Sequence, residues 1–154
     1  MHADFLHGAR FVIDFDLLVR PQHAYGLLHA ADHARAHGYG RVTVVELGVG
    51  SGTGLLNMCS LAARITEITE VQINLVGFDT GKGLPSPKDY RDHPELYREG
   101  WFPMDRDRPL AALPGNARVV SGELEQTIEA EVAALEADAP VGFVSLDVDF
   151  YSSS

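Results

Sequence analysis

A short β-branched run, Arg41–Leu47 (RVTVVEL), leads directly into Gly48-Val-Gly50-Ser-Gly52-Thr-Gly54, after which Leu55, Met58, Cys59 and Ala62 recur at helical spacing. This junction constrains the chain more than any other segment. It reads as a buried strand, a turn with glycine at alternate positions, and a helix. Such a turn brings backbone close to a ligand where a Cβ would intrude, and the first turn of the following helix offers free N–H groups. A nucleotide-type ligand is implied, since an idle turn rarely needs so many glycines beside a buried strand.

The flanking sequence continues the alternation. Residues 21–37 place Ala24, Leu27, Leu28, Ala31 and Ala34 on one helical stripe, with Pro21 suited to the first turn and Gly38 to the stop. Val71–Phe78 reads as a second strand, Arg118–Ser121 as a short third and Val141–Asp147 as a fourth. Leu124, Ile128, Val132 and Leu135 mark a helix with an acidic outer face. Alternation of this kind predicts a mostly parallel sheet with helices on both faces and ligands at the carboxyl ends of the strands. Residues 80–114 interrupt it, holding six of the eight prolines and the single Trp. They form either an irregular surface excursion or a lid, to which Tyr90, Tyr97, Trp101 and Phe102 give apolar bulk.

Bulk properties narrow the function. With 154 residues, 45% of them hydrophobic, the chain can bury one sizeable core. A formal charge of -10 repels phosphate backbones and anionic headgroups, so neither nucleic acid nor a membrane is an expected partner. Residues 119–154 carry eight carboxylates and no Lys or Arg. The single cysteine, Cys59, excludes an internal disulfide framework and a cysteine-based zinc site, which fits a reducing compartment. Its place on the apolar stripe of its helix makes it a buried thiol before a nucleophile. Asp14 and Asp16 break the apolar stretch Phe11–Val19, so it does not read as a signal peptide, and no run approaches the ~20 apolar residues of a membrane span. A cytoplasmic protein is expected.

Spacing decides which nucleotide. A G-x-G-x-x-G fingerprint starting at Gly48 requires glycine where Thr53 stands, and one starting at Gly50 requires it where Leu55 stands. A phosphate-binding loop fails as well, because Lys82 lacks the upstream glycine spacing and precedes Gly83 instead of Ser or Thr. Glu46, two positions before the first glycine, repels a pyrophosphate but attracts a cation. A positively charged nucleoside remains.

VVELGVGSGTG resembles motif I of the class I S-adenosylmethionine-dependent methyltransferases. The resemblance implies that Glu46, Gly48, Gly50, Ser51 and Gly52 hold the methionyl end of the cofactor. It places Asp79, ending INLVGFD, on the ribose, Glu123, in VVSGELEQT, on adenine, and Asp147 where the methyl meets its acceptor. Four motifs in family order span roughly residues 40–151. The implied fold is α/β, Rossmann-like, with residues 1–40 an N-terminal segment and helix packing on the core and 41–154 the cofactor domain, incomplete after the fourth strand. The implied activity is methyl transfer to a small-molecule acceptor, as an O-methyltransferase. A cofactor-binding module or inactive fragment without turnover is the alternative, and a nucleotide-dependent oxidoreductase a distant one.

Asp147-Val-Asp149-Phe-Tyr-Ser-Ser is similar to the macrocin and novobiocin type of sugar O-methyltransferases, which implies a Mg2+ role for Asp147 and, less directly, Asp149. The alternative is that Asp147 only hydrogen-bonds cofactor or backbone. Asp79 has a plainer reading as a turn cap, and Glu123 as a first-turn helix acid. His29, His33 and His37 recur at i, i+4 and i+8 but lie opposite the apolar stripe, which favours a solvated face over a metal site. The family sheet has seven strands with Val141–Leu146 central. A chain of 154 residues is therefore expected to be a fragment, or to have its open apolar edge covered by a partner or in a homo-oligomer.

Overall fold

A computed structural model describes residues 20–104, 111, 113–135 and 137–153. Most of the N-terminal stretch with Phe11–Val19, and part of the 80–114 excursion, lie outside the described residues. In chain order the elements are helix α1 (Pro21–Ala36), strand β1 (Arg41–Leu47), helix α2 (Thr53–Thr69), strand β2 (Gln72–Asp79), strand β3 (Ala117–Ser121), helix α3 (Leu124–Ala133) and strand β4 (Val141–Leu146). Short 3-10 turns occupy Tyr90–Asp92 and Tyr151–Ser153. The four strands form one parallel sheet in the order β3-β2-β1-β4. This is the parallel α/β arrangement that the alternating pattern predicts, and the Rossmann-like fold that the resemblance implies. No helix among the described residues is long and apolar enough to cross a membrane.

β1 is buried at every position after Arg41, which is why it reads as a continuous apolar run: both its faces are packed. Val42 and Val44 face the layer formed by α1 and α2, where they join Leu27, Leu28, Leu55, Met58, Ile73 and Leu75. Val45 and Leu47 turn the other way and, with Val76 and Phe78, meet Leu124 and Ile128 of α3. The stripe read along α1 is buried as expected, and His29, His33 and His37 are exposed. Burial pushes the Cys59 thiol up to about 11, which keeps it an inert core group at neutral pH.

β4 departs from simple alternation. Its register against β1 shifts between Thr43 and Val44, so Gly142 is the extra residue of a bulge and lies over Val42 and Ala30. The shift seats Phe143 against Gly26 of α1, a contact that any side chain at position 26 would block. It also sends Val141 and Val144 to the opposite face, into an apolar groove of about 100 Å³ between the sheet and α3. The helical stripe read over Leu124–Leu135 is only half used. Leu124 and Ile128 pack on β1 and β2, whereas Val132 is 52% exposed and Leu135, beyond the helix, is half-buried, both beside the groove that Val141 and Val144 enter. Val144 and Leu146 are 47% and 58% exposed, so β4, central in the family expectation, is an edge strand among the described residues.

Candidate functional site

The carboxyl ends of all four strands open into one cavity of about 780 Å³. It is a direct consequence of the topology, since parallel strands deliver their following loops to the same edge. Seven carboxylates and three cations (Arg20, Lys82 and Lys88) line it among the described residues, so its field favours a cationic ligand.

The glycine turn forms the floor. Gly48 has φ of 86°, donates its N–H to the Phe78 carbonyl at 2.9 Å, and sits so close to the Asp147 carbonyl that a Cβ would overlap it. Gly54 lies in the first turn of α2, where the Glu46 carboxylate occupies the space of a missing Cβ. Glycine at these two positions thus does two jobs: one lets β1 and the β4 loop meet, the other lets a carboxylate slide beneath a helix N-terminus. Ser51 is exposed, and its hydroxyl lies 2.9 Å from that of Thr53.

Glu46 is 1% exposed, and its Oε2 is buried without a hydrogen-bond partner among the described residues. Burial pushes its carboxyl up to about 8, the nearby Asp147 carboxylate pushes the same way, and Arg20 partly opposes them. An unpaired buried acceptor at the rim of a cavity is a group prepared for a donor or cation.

Asp79 ends β2 and is already engaged with the glycine turn. Its Oδ2 accepts from the Val49 and Gly50 amides at 3.0 and 2.8 Å, and its Oδ1 from the Gly81 amide at 2.6 Å. The turn-cap reading of this residue is therefore present in the structure, alongside its position on the cavity wall. Glu123 precedes α3, lines the cavity and pairs with Lys82 at 3.7 Å. Asp147 is exposed and faces Arg20 at 3.4 Å. Asp149 adopts φ of 60°, and burial together with Asp147 raises its carboxyl above the usual range. The structure thus brings Glu46, Gly48, Gly50, Ser51, Asp79, Glu123, Asp147 and Asp149 to one cavity, with Gly52 capping α2 just behind them.

The residues do not fit a magnesium centre. No group of three His, Cys, Asp or Glu side chains among the described residues is placed to hold a metal, and Asp147 turns to a guanidinium instead.

Arg20 is the residue that sequence reading missed. It stands at the N-cap of α1 with φ of 56°, between Asp147 and the wall that holds Glu46. The signal was faint but physical: a cation at a helix N-terminus opposes the helix dipole, so its partner must lie elsewhere. His23, one turn later, is buried beneath the same cluster, and burial and Arg20 lower its basicity. Its ring nitrogens lie 3.4 Å from Asn57 and 3.5 Å from Ser145, so it bridges α1, α2 and β4.

Neither a family model nor a curated protein sequence matches the chain. Among solved structures it is similar to the calicheamicin methyltransferase CalS11, with a TM-score of 0.56 and 20% identity over 82% of this chain. The chain spans about half of that protein, 53% of its length. The likeness establishes the fold.

Proposed function

We propose that the cavity binds S-adenosylmethionine and that the chain carries the cofactor half of a methyltransferase for a small-molecule hydroxyl acceptor. The observation that carries this reading is the buried, unpaired Glu46 Oε2 beneath the glycine turn, in a cavity whose charged lining is mainly carboxylate. The other carboxylates of the wall suit a cationic ligand and repel a pyrophosphate, which weighs against NAD and ATP, and a cation beside Glu46 favours loss of its proton. The methyltransferase neighbour supports the same reading through its fold.

When bound, the sulfonium supplies an already activated methyl group. The protein's contribution is then placement and charge. Glu46 and Arg20 form a pair suited to the α-ammonium and α-carboxylate of the amino-acid end, while Gly48, Gly50, Ser51 and Gly52 admit the ligand against the backbone. Asp79, anchored to the Val49 and Gly50 amides, presents the ribose side, and Glu123 the adenine side. Asp147 borders the acceptor side and is the candidate proton acceptor for a hydroxyl.

Isothermal titration with S-adenosylmethionine and S-adenosylhomocysteine tests the reading. Both should bind, and NAD should not; equal or tighter binding of NAD refutes it. A module that binds without turnover is the second reading, favoured by the chain's matching only 53% of the methyltransferase neighbour. It gives the same titration but no labelled product with any hydroxyl acceptor, even in a longer chain.

We also propose that further strands or a second copy of the chain cover β4. The exposed Val141, Val144 and Leu146 beside an unpaired edge support this. Light scattering should show concentration-dependent association of the 154-residue chain, reduced by Leu146→Lys. A monodisperse monomer at all concentrations contradicts it.

A further inference from the structure

Asp92 is buried in a segment that is otherwise largely exposed. It lies in the excursion after β2, yet its carboxylate is the meeting point of two distant stretches of chain. Oδ2 accepts from the Lys88 amide at 2.7 Å and from the Ser152 hydroxyl at 2.8 Å, and Oδ1 accepts from the Ser152 amide at 2.9 Å. Burial opposes its ionisation, but these donors together hold its carboxyl below the usual range, so it stays an acceptor-only anion at neutral pH.

Two further contacts run parallel to it. The Tyr97 ring meets the edge of buried Phe150 at a centroid distance of 5.9 Å, and the Arg91 guanidinium lies 4.1 Å over the Tyr151 ring. Within the excursion, the Leu84 amide donates to the Trp101 carbonyl and the Gly100 amide to the Leu84 carbonyl, both at 2.8 Å, so its two limbs are tied. Lys88, Gly100 and Phe102 from this tied unit line the cavity on one side, and Asp149 and Ser152 line it on the other.

We infer that Asp92 is a positioning residue that clamps the excursion after β2 onto the turn after β4, so that the two walls of the acceptor side hold one spacing. The inference rests on the proposed cofactor reading only for the word acceptor; the clamp itself stands on the hydrogen bonds. Asp92 touches no reacting atom. Its effect is carried by Ser152, five residues beyond Asp147, and by Lys88.

The test uses the full chain with S-adenosylhomocysteine as the probe. In the native chain, probe binding at the glycine turn should slow amide exchange at residues 84–101 and 150–153 through the clamp. Asp92→Asn places its amide NH2 against a backbone N–H in either orientation, that of Ser152 or that of Lys88. It should speed exchange at those amides about tenfold without ligand and abolish their protection by the probe, while β1 and α2 exchange as in the native chain. Ser152→Ala, which keeps the backbone amide bond, should give a smaller effect in the same amides. Trp101, the single tryptophan, reports the same opening as greater quenching by acrylamide. Native-like exchange and quenching in a folded Asp92→Asn variant overturn the clamp. Absence of probe protection in the native chain, with the probe bound, overturns its link to the site. Failure of the probe to bind overturns the cofactor reading instead, while the ligand-free exchange still decides the clamp.

Discussion

Glu46→Gln should stabilise the chain at pH 8 and weaken its binding of S-adenosylmethionine. In the folded chain burial raises the Glu46 carboxyl from its ordinary 4.5 to about 8, so between those values the folded state holds a proton that the unfolded state has lost. Stability from this group is fully present below pH 4.5 and is lost as pH rises toward about 8. The slope at its steepest is about 1.4 kcal/mol per pH unit. Gln keeps the shape and the neutral charge but does not titrate, so it removes that slope. Denaturant unfolding at several pH values between 5 and 8 should show the variant pulling ahead of the native chain by a few kcal/mol at the upper end. Binding should move the other way, because the proposed ammonium partner needs the carboxylate: a loss of about tenfold or more is expected at pH 8. Parallel stability curves for the two proteins would show that Glu46 is ionised throughout. A residue that weakens the fold where it serves the ligand is the usual compromise at a binding site.

Gly48→Ala should be the most damaging added methyl among the described glycines. Its φ of 86° disfavours any side chain, and the added Cβ meets the Asp147 backbone carbonyl. The Asp147 amide, bonded to the Leu47 carbonyl at 2.9 Å, holds that residue beside the turn, and the Val148 Cα lies 3.3 Å from the added Cβ as well. Relief would require separating β1 from the β4 loop, so a loss of about 3 kcal/mol or more is expected. Gly50→Ala is the control. Its φ of 51° is also left-handed, but nothing lies within 4 Å of an added Cβ, so only the conformational term of about 1 kcal/mol applies. Urea unfolding of the two variants separates the effects. Equal losses would mean that the turn and the β4 loop do not meet as described.

The contrast between these two glycines shows what could be read in advance. Both stand in the same alternating run and look equivalent by spacing. One is required by a contact with a residue 99 positions away, the other only by local conformation. The strand, turn and helix around them were legible because each has a local cause: β-branched residues, positive φ and a 3.6-residue stripe. Asp79 was legible as a residue at a strand's carboxyl end. That it anchors the glycine turn was not, because the amides it accepts from belong to the preceding strand's loop. Arg20 and Asp92 escaped notice for a related reason. Each is an ordinary charged residue in sequence and acquires its role from a partner more than fifty positions away.

Apolar periodicity and the glycine run thus specify a parallel α/β sheet and the strand edge at which the glycine turn and the acidic residues gather, because these follow from side-chain pattern and local backbone conformation. Tertiary packing alone buries Glu46 and leaves its Oε2 unpaired, turns Asp147 toward Arg20 instead of a metal cluster, and draws the excursion after β2 down onto Ser152. Burial and proximity set the charge state of a carboxylate and the partner it meets, and both arise only when distant segments share the same space.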